Sequence, residues 1–101
     1  MSEQQILNFL GIAKRARQTI SGQELVLKAI KSGRANFVFL ASDTSANAQQ
    51  VLIKALNKKS IPFDLSFSQI ELSQAIGQAT KSIAVTDKGF AQRFQELVQN
   101  N

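Results

Sequence analysis

The stretch Ser21-Gly22-Gln23-Glu24-Leu25-Val26-Leu27-Lys28-Ala29-Ile30-Lys31-Ser32-Gly33, running on into Phe37-Val38-Phe39-Leu40-Ala41-Ser42-Asp43, decides how this chain is read. Its first part has helical spacing, with Leu25, Val26, Ala29 and Ile30 on one side and Glu24, Lys28 and Lys31 on the other. Ser21 and Glu24 have the Ser-x-x-Glu spacing of a capping box, in which a hydroxyl and a carboxylate satisfy backbone amides of the first turn. Gly33 stands where helices commonly end, because glycine takes the left-handed conformation without penalty. The second part is a short, continuous apolar run rich in β-formers, the signature of a strand covered on both faces.

Reading outward, Ser2 and Gln5 have capping spacing, and Ile6, Phe9, Leu10 and Ala13 predict a helix over about 3–16. Thr19-Ile20 is a brief β-prone piece. Downstream, Ser42-Asp43-Thr44-Ser45 offers capping oxygens to a helix whose apolar stripe is Ala48, Val51, Leu52, Ala55 and Leu56. Asn57-Lys58-Lys59 closes that helix with cations at its negative end. Ile61, Phe63, Leu65 and Phe67 alternate with polar residues as in a half-buried strand, and Pro62, lacking an amide donor, points to a sheet edge. Ser68 and Glu71 repeat the capping box and open a short helix that stops at Gly77. Ser82-Ile83-Ala84-Val85-Thr86 is a further strand. Asp87 caps a last helix bearing Phe90, Phe94, Leu97 and Val98, and Gln99-Asn100-Asn101 is expected to fray. Helices alternate with strands throughout. The expected fold class is therefore α/β, a three-layer α-β-α sandwich with a small mixed four-stranded sheet. No linker, internal repeat or low-complexity segment divides the chain, so residues 1–101 are expected to form one domain.

Composition narrows the chemistry. The 101 residues include no cysteine and no histidine, which removes disulfides, thiolate metal sites and the usual general base. No apolar run approaches the ~18–20 residues of a membrane span, and the N-terminus lacks the basic start of a secretory signal, so a cytoplasmic protein is expected. The net charge of +5 is uneven. Residues 1–36 carry six basic groups (Lys14, Arg15, Arg17, Lys28, Lys31 and Arg34) against Glu3 and Glu24, whereas the remainder is nearly balanced. One basic face of this kind attracts nucleic acid or an anionic membrane.

The glycine-rich phosphate loops Gly-x-Gly-x-x-Gly and Gly-x-x-x-x-Gly-Lys are absent. Asp43 and Asp87 each follow a strand and precede a helix, where an open α/β sheet binds ligands, but both positions need a cap and are read as caps. The seven phenylalanines could stack on bases; by parity Phe37 pairs with Phe39, Phe63 with Phe67 and Phe90 with Phe94, all on core faces. Without a nucleophile–base pair or a metal set, no catalytic residue, metal site or cofactor is expected, and the protein is not expected to be an enzyme. The helix opening at Gly22 remains. A helix start presents free amides and a partial positive charge to an anion, Gly22 lets a backbone approach closely, and Lys14, Arg15, Arg17, Lys28, Lys31 and Arg34 flank it.

With Leu10-Gly11-Ile12-Ala13-Lys14-Arg15-Ala16, Ile61-Pro62-Phe63, Leu72-Ser73-Gln74-Ala75-Ile76-Gly77 and Ser82-Ile83-Ala84-Val85 added, the chain resembles the kink-turn RNA-binding ribosomal-protein family. Within it the similarity is to a bacterial branch of YlxQ-type ribosomal-like proteins, over about residues 5–95. The resemblance implies an α-β-α sandwich that binds RNA without catalysis. It implies that the start of the second helix meets sheared G·A pairs of a kinked duplex, and that the loop before the last strand meets extruded bases. Gly22 matches the family glycine and Lys28 the helix lysine, but Glu24 and Leu25 stand where the family usually carries Asn then Glu. The loop Gln78-Ala79-Thr80-Lys81 is shorter and more polar than that of the better-studied members. Losing base-reading groups lowers specificity more than affinity, because phosphate contacts position a protein while base contacts specify.

The expected RNA-binding residues are Lys14, Arg15, Arg17, Ser21, Gly22, Gln23, Glu24, Lys28, Lys31, Gln78, Thr80 and Lys81. The expected partner is structured RNA, of kink-turn or ribosomal type, bound by a monomer; neither a membrane nor a small-molecule substrate is expected. The competing expectation is a protein-interaction module on the same fold, motivated by Glu24 and Leu25, although helical spacing turns Leu25 toward the core.

Overall fold

The structure is a computed structural model that describes residues 3–99. Along the chain run α1 (Glu3–Arg15), β1 (Thr19–Ser21), α2 (Gln23–Lys31), β2 (Phe37–Leu40), α3 (Ala46–Lys59), β3 (Phe63–Asp64), α4 (Gln69–Ile76), β4 (Ser82–Val85) and α5 (Lys88–Gln99). The four strands lie in the order β1-β4-β2-β3. β4 is antiparallel to both β1 and β2, and β3 is parallel to β2, so the sheet is mixed.

Every residue of β2 and β4 is buried, as the apolar runs Phe37-Val38-Phe39-Leu40 and Ile83-Ala84-Val85 require. Alternation along the strands sends Phe37, Phe39, Ile83 and Val85 into a layer shared with α1, α4 and α5. Val38, Leu40 and Ala84 point the other way, to α2 and α3. The expected three-layer α/β sandwich is the observed one. Six of the seven phenylalanines build the first layer: Phe39 meets Phe94 edge-on at 5.0 Å between ring centres, and Phe9 meets Phe94 at 4.8 Å. Such pairs add about 0.5–1.5 kcal/mol beyond burial. These rings are core, and no stacking platform for bases is made from them.

Helix ends follow their sequences with instructive exceptions. The Ser68–Glu71 box forms: Ser68 Oγ accepts from the Glu71 amide at 3.2 Å and Glu71 Oε1 accepts from the Ser68 amide at 2.9 Å. Ser45 caps α3 and Asp87 caps α5. Asp43 does not cap α3; its Oδ1 accepts from the Gln69 amide at 2.9 Å and caps α4 instead, tying two helices together. The expected strand over 61–67 shrinks to two residues, because Asp64 turns its carboxylate onto the Ser66 amide (3.0 Å) and hydroxyl (2.7 Å) and ends the ladder. That turn breaks the parity of Phe63 and Phe67, which pack in opposite layers. On α3, Val51 is exposed and Ile53 packs inward in its place. The first helix stops at Arg15. Ser2, Asn100 and Asn101 lie outside the described residues, so their expected cap and fraying do too, while Gln99 is the last residue of α5.

Candidate nucleic-acid interface

The antiparallel pairing of β1 with β4 places Ser21 opposite Ile83, one residue beyond Ser82. The chain leaves β1 through Gly22, at φ 96° and ψ 139°, a conformation open essentially to glycine alone. The Gly22 amide donates to the Ser82 carbonyl at 3.2 Å, and its carbonyl accepts the first helical bond, from the Val26 amide at 2.8 Å. Gly22 is thus the N-cap of α2, and the expected Ser21–Glu24 capping box does not form. The reason is a shift of frame by one residue. Ser21 is consumed as the last residue of a strand, and Glu24 falls second in the helix rather than third.

No side chain caps α2. A β-carbon placed on Gly22 would meet nothing within 4 Å, so the space over the helix start is open. The first-turn amides carry no side-chain cap, and the positive end of the helix dipole lies at this end of α2. Gln23 is half-buried there, and Glu24 is exposed. Among the described residues the only ion pair is Arg93–Glu96, at 3.3 Å, so the Glu24–Lys28 spacing does not produce a bridge. Lys28 and Lys31 are exposed along the outer side of α2.

Two further segments close on this helix start. Lys14, in the last turn of α1, donates through Nζ to Gln78 Oε1 at 3.2 Å. Gln78, in the α4–β4 loop, donates through Nε2 to Ser21 Oγ at 3.4 Å. Residues distant in the chain are thereby joined across one surface, with Lys81 exposed on the same loop. The loop is shaped from within by Thr80, which is 8% exposed. The Thr80 amide donates to Ser73 Oγ (2.9 Å), its carbonyl accepts from the same hydroxyl (3.1 Å), and its own hydroxyl donates to the Ser82 carbonyl (2.7 Å). Thr80 therefore holds the loop, with its hydroxyl turned to the backbone inside. Ser73, its partner, was not singled out by sequence; a serine inside a short helix carries no signal until the loop returns to it.

Arg17 terminates α1 in the left-handed region at φ 61°. Its amide donates to the Lys14 carbonyl and the Gln18 amide to the Ala13 carbonyl, each at 3.0 Å, the hydrogen-bond pattern of a Schellman turn. An arginine here, where glycine is favoured, carries roughly 1–2 kcal/mol of backbone strain. Arg17 is exposed, whereas Arg15 lines a different groove, between α1 and α4, with Gln74 and Ala75.

Leu25 departs from expectation most. It is 59% exposed rather than core-facing. The buried stripe of α2 is Val26, Ala29 and Ile30, and Leu27, on the other flank, is covered by the α3 side. Leu25 lies one residue step round from Val26, on the flank where no helix covers it.

The fold and this surface define the class: a small α-β-α domain with an uncapped helix start at one end of the sheet and lysines along the helix behind it. The chain belongs to the ribosomal protein L7Ae/L30e/S12e/Gadd45 family, whose sequence model matches residues 4–95. It is 36% identical over 99 residues to the RNA-binding protein YlxQ of Bacillus subtilis (strain 168), covering 97% of this chain and 99% of the relative. It is 33% identical over 98 residues to the RNA-binding protein YlxQ of Enterococcus faecium, covering 97% and 95%. Among solved structures, a protein of unknown function from Bacillus halodurans C superposes with a TM-score of 0.91 at 33% identity, over 96% of this chain and 99% of that one. The Giardia lamblia 15.5kD RNA binding protein shares the fold, with a TM-score of 0.80 at 20% identity over 99% and 92%.

Proposed function

We propose that this protein is a non-catalytic RNA-binding protein that holds structured, kinked RNA against the start of α2. One observation carries the reading: the Lys14–Gln78–Ser21 chain gathers the end of α1, the α4–β4 loop and the end of β1 around a helix start that no side chain caps. Family membership and the relatives named as RNA-binding proteins support it. Gly22 presents backbone amides to a phosphate, and Lys14, Arg17, Lys28 and Lys81 add positive charge. Gln78 keeps polar atoms at the surface for an unstacked base. At the position where the family usually reads bases with a carboxylate, Leu25 presents an aliphatic face, so recognition rests on shape and phosphates more than on base edges.

The test is a titration against a kink-turn RNA and against the same RNA with its G·A pairs replaced by Watson–Crick pairs, at two salt concentrations. Preference for the kinked RNA supports the reading in full. Equal binding to both, falling steeply with salt, reduces it to a phosphate-holding surface, and binding to neither refutes it. A second reading, a protein-interaction module, is favoured by one observation, the exposed Leu25 beside the unpaired Glu24. Partners that stay bound after thorough ribonuclease treatment, and are lost in Leu25→Ala, would select it.

A further inference from the structure

A second basic surface lies behind the first. Between α2 and α3 runs a groove of about 630 Å³, floored by Leu27 and Val51 and rimmed by Lys31, Lys54, Lys58 and Lys59. All four lysines are exposed, none is in an ion pair, and neither the groove lining nor the whole of α3 contains a carboxylate. Lys54 and Lys58 are four apart on one helix face, a like-charge spacing that weakens a helix by about 0.2–0.5 kcal/mol. The helix dipole favours lysines near each C-terminus. It accounts for Lys31, Lys58 and Lys59 singly, but not for Lys54 in mid-helix, nor for cations from two helices converging on one groove that holds no acid.

This groove is continuous with the helix surface already described. A shallower depression along α2, lined by Glu24, Lys28 and Ser32, shares both Leu27 and Lys31 with it. The nine residues of α2 span about 13 Å, and neighbouring helices sit about 8–10 Å apart, so the basic track from Gly22 to Lys58 extends on the order of 20 Å. Lysine stems lie along the apolar floor while their ammonium groups reach outward. Flexible point charges of this kind suit phosphates and read no sequence.

We propose that Lys31, Lys54, Lys58 and Lys59 form a second phosphate-contact surface, which holds the backbone of the duplex flanking the site at Gly22. This rests on the RNA-binding reading and extends its footprint across α2 onto α3. Affinity then grows with the length of the flanking stem, independently of its sequence.

The experiment compares the wild type with Lys54→Gln/Lys58→Gln/Lys59→Gln on two kinked RNAs that differ only in flanking stem length, across a salt series. The three positions are exposed, so the variant keeps its fold, and thermal unfolding checks this; Lys58→Gln alone serves as a milder second variant. The wild type binds the long-stem RNA more tightly than the short. The triple variant loses that advantage, and its log–log salt slope falls by about 2–3, near 0.9 per phosphate contact. Lys88→Gln/Arg93→Gln, in the opposite layer, leaves both quantities unchanged. If the triple variant keeps the wild-type slope and stem-length dependence, the proposal is wrong while the RNA reading stands. If the wild type binds neither RNA, both fall. If only retention on anionic phospholipid vesicles is lost, the groove serves a lipid surface and the proposal is overturned.

Discussion

Gly22→Ala separates conformational strain from steric fit at the centre of the proposed site. The added methyl group meets nothing within 4 Å, so packing contributes nothing to the outcome. The backbone does: at φ 96° and ψ 139° an alanine carries about 1–3 kcal/mol of strain. Escape to negative φ costs a similar amount, because it swings away the amide bonded to Ser82 at 3.2 Å and the carbonyl bonded by Val26 at 2.8 Å, each worth about 0.5–1.5 kcal/mol. Either route predicts a loss of about 1–3 kcal/mol in urea unfolding with unchanged m-value, at about 4–8 °C of melting temperature per kcal/mol. Gly77→Ala is the internal control. Gly77 lies at φ 69° and ψ 26°, inside the left-handed well that other residues do enter, so its loss is the smaller of the two. A Gly22→Ala loss below about 0.5 kcal/mol, or one smaller than that of Gly77→Ala, refutes the strain argument. The same variant, assayed where it is fully folded, places a methyl group in the open space over the helix start. RNA affinity falls by roughly tenfold or more if a backbone approaches there, equivalent to about 1.4 kcal/mol. Unchanged affinity in a folded Gly22→Ala protein refutes the close approach.

The remaining predictions concern the elements around that site. Gly11→Ala puts a β-carbon 2.9 Å from the Ala75 carbonyl oxygen, forces α1 from α4, and costs about 1–3 kcal/mol in chemical denaturation; an unaffected midpoint would mean the two helices are not held at this spacing. Arg17→Gly relieves the left-handed strain at φ 61° and leaves stability equal or up to about 1 kcal/mol higher, while RNA affinity and its salt slope decline; a stabilised protein with undiminished binding removes Arg17 from the interface. Thr80→Val deletes the 2.7 Å bond to the Ser82 carbonyl, lowers stability by about 1–2 kcal/mol, and speeds hydrogen exchange in the α4–β4 loop without changing the salt slope. RNA affinity lost in the folded variant beyond what loop opening explains, at an unchanged slope, would show that Thr80 reaches the ligand.

How much of this was legible in the sequence depends on what each residue was asked to report. The continuous apolar runs Phe37-Val38-Phe39-Leu40 and Ile83-Ala84-Val85 report burial on both faces, which forces layers above and below the sheet, so the fold class followed from them. Local caps were legible where both partners lie in one segment, as at Ser68 and Glu71. They were misread where a tertiary demand took a partner away. Ser21 has the right spacing to Glu24, but the pairing of Ser21 with Ile83 makes it strand, and a residue in a ladder cannot also be a helix cap. Asp43 was legible as a cap and illegible as to which helix, because its true partner lies 26 residues on. In sequence Lys58 and Lys59 read as helix-end charges, and Lys54 carries no signal of its own. Only the packing of α2 on α3 turns Lys54, Lys58 and Lys59 with Lys31 into one surface.

The failure of the capping box also changes what the departures at positions 24 and 25 mean. Had the Ser21–Glu24 box formed, the Ser21 hydroxyl would have taken a first-turn amide and the Glu24 carboxylate the cap residue's own amide, leaving fewer free donors at the helix start for an anion. Because Gly22 takes the cap position without a side chain, the first-turn amides stay open, and Glu24 stands exposed one residue further along. Leu25 in turn is on the surface at 59% exposure, so its side chain is available to whatever docks at the helix start. The proposed phosphate-holding part of the site thus keeps its backbone donors uncapped, while the side chains beside it are a carboxylate and an aliphatic group. Backbone amides cannot distinguish one base from another, and an aliphatic face discriminates by contact shape alone. The double variant Glu24→Asn/Leu25→Glu, which supplies the pair the family usually carries, is therefore expected to sharpen discrimination between kinked and Watson–Crick-paired RNA. With unit charge conserved across the two positions, it should do so with little change in salt slope. A variant that gains affinity for both RNAs equally would show that positions 24 and 25 do not read the kinked geometry.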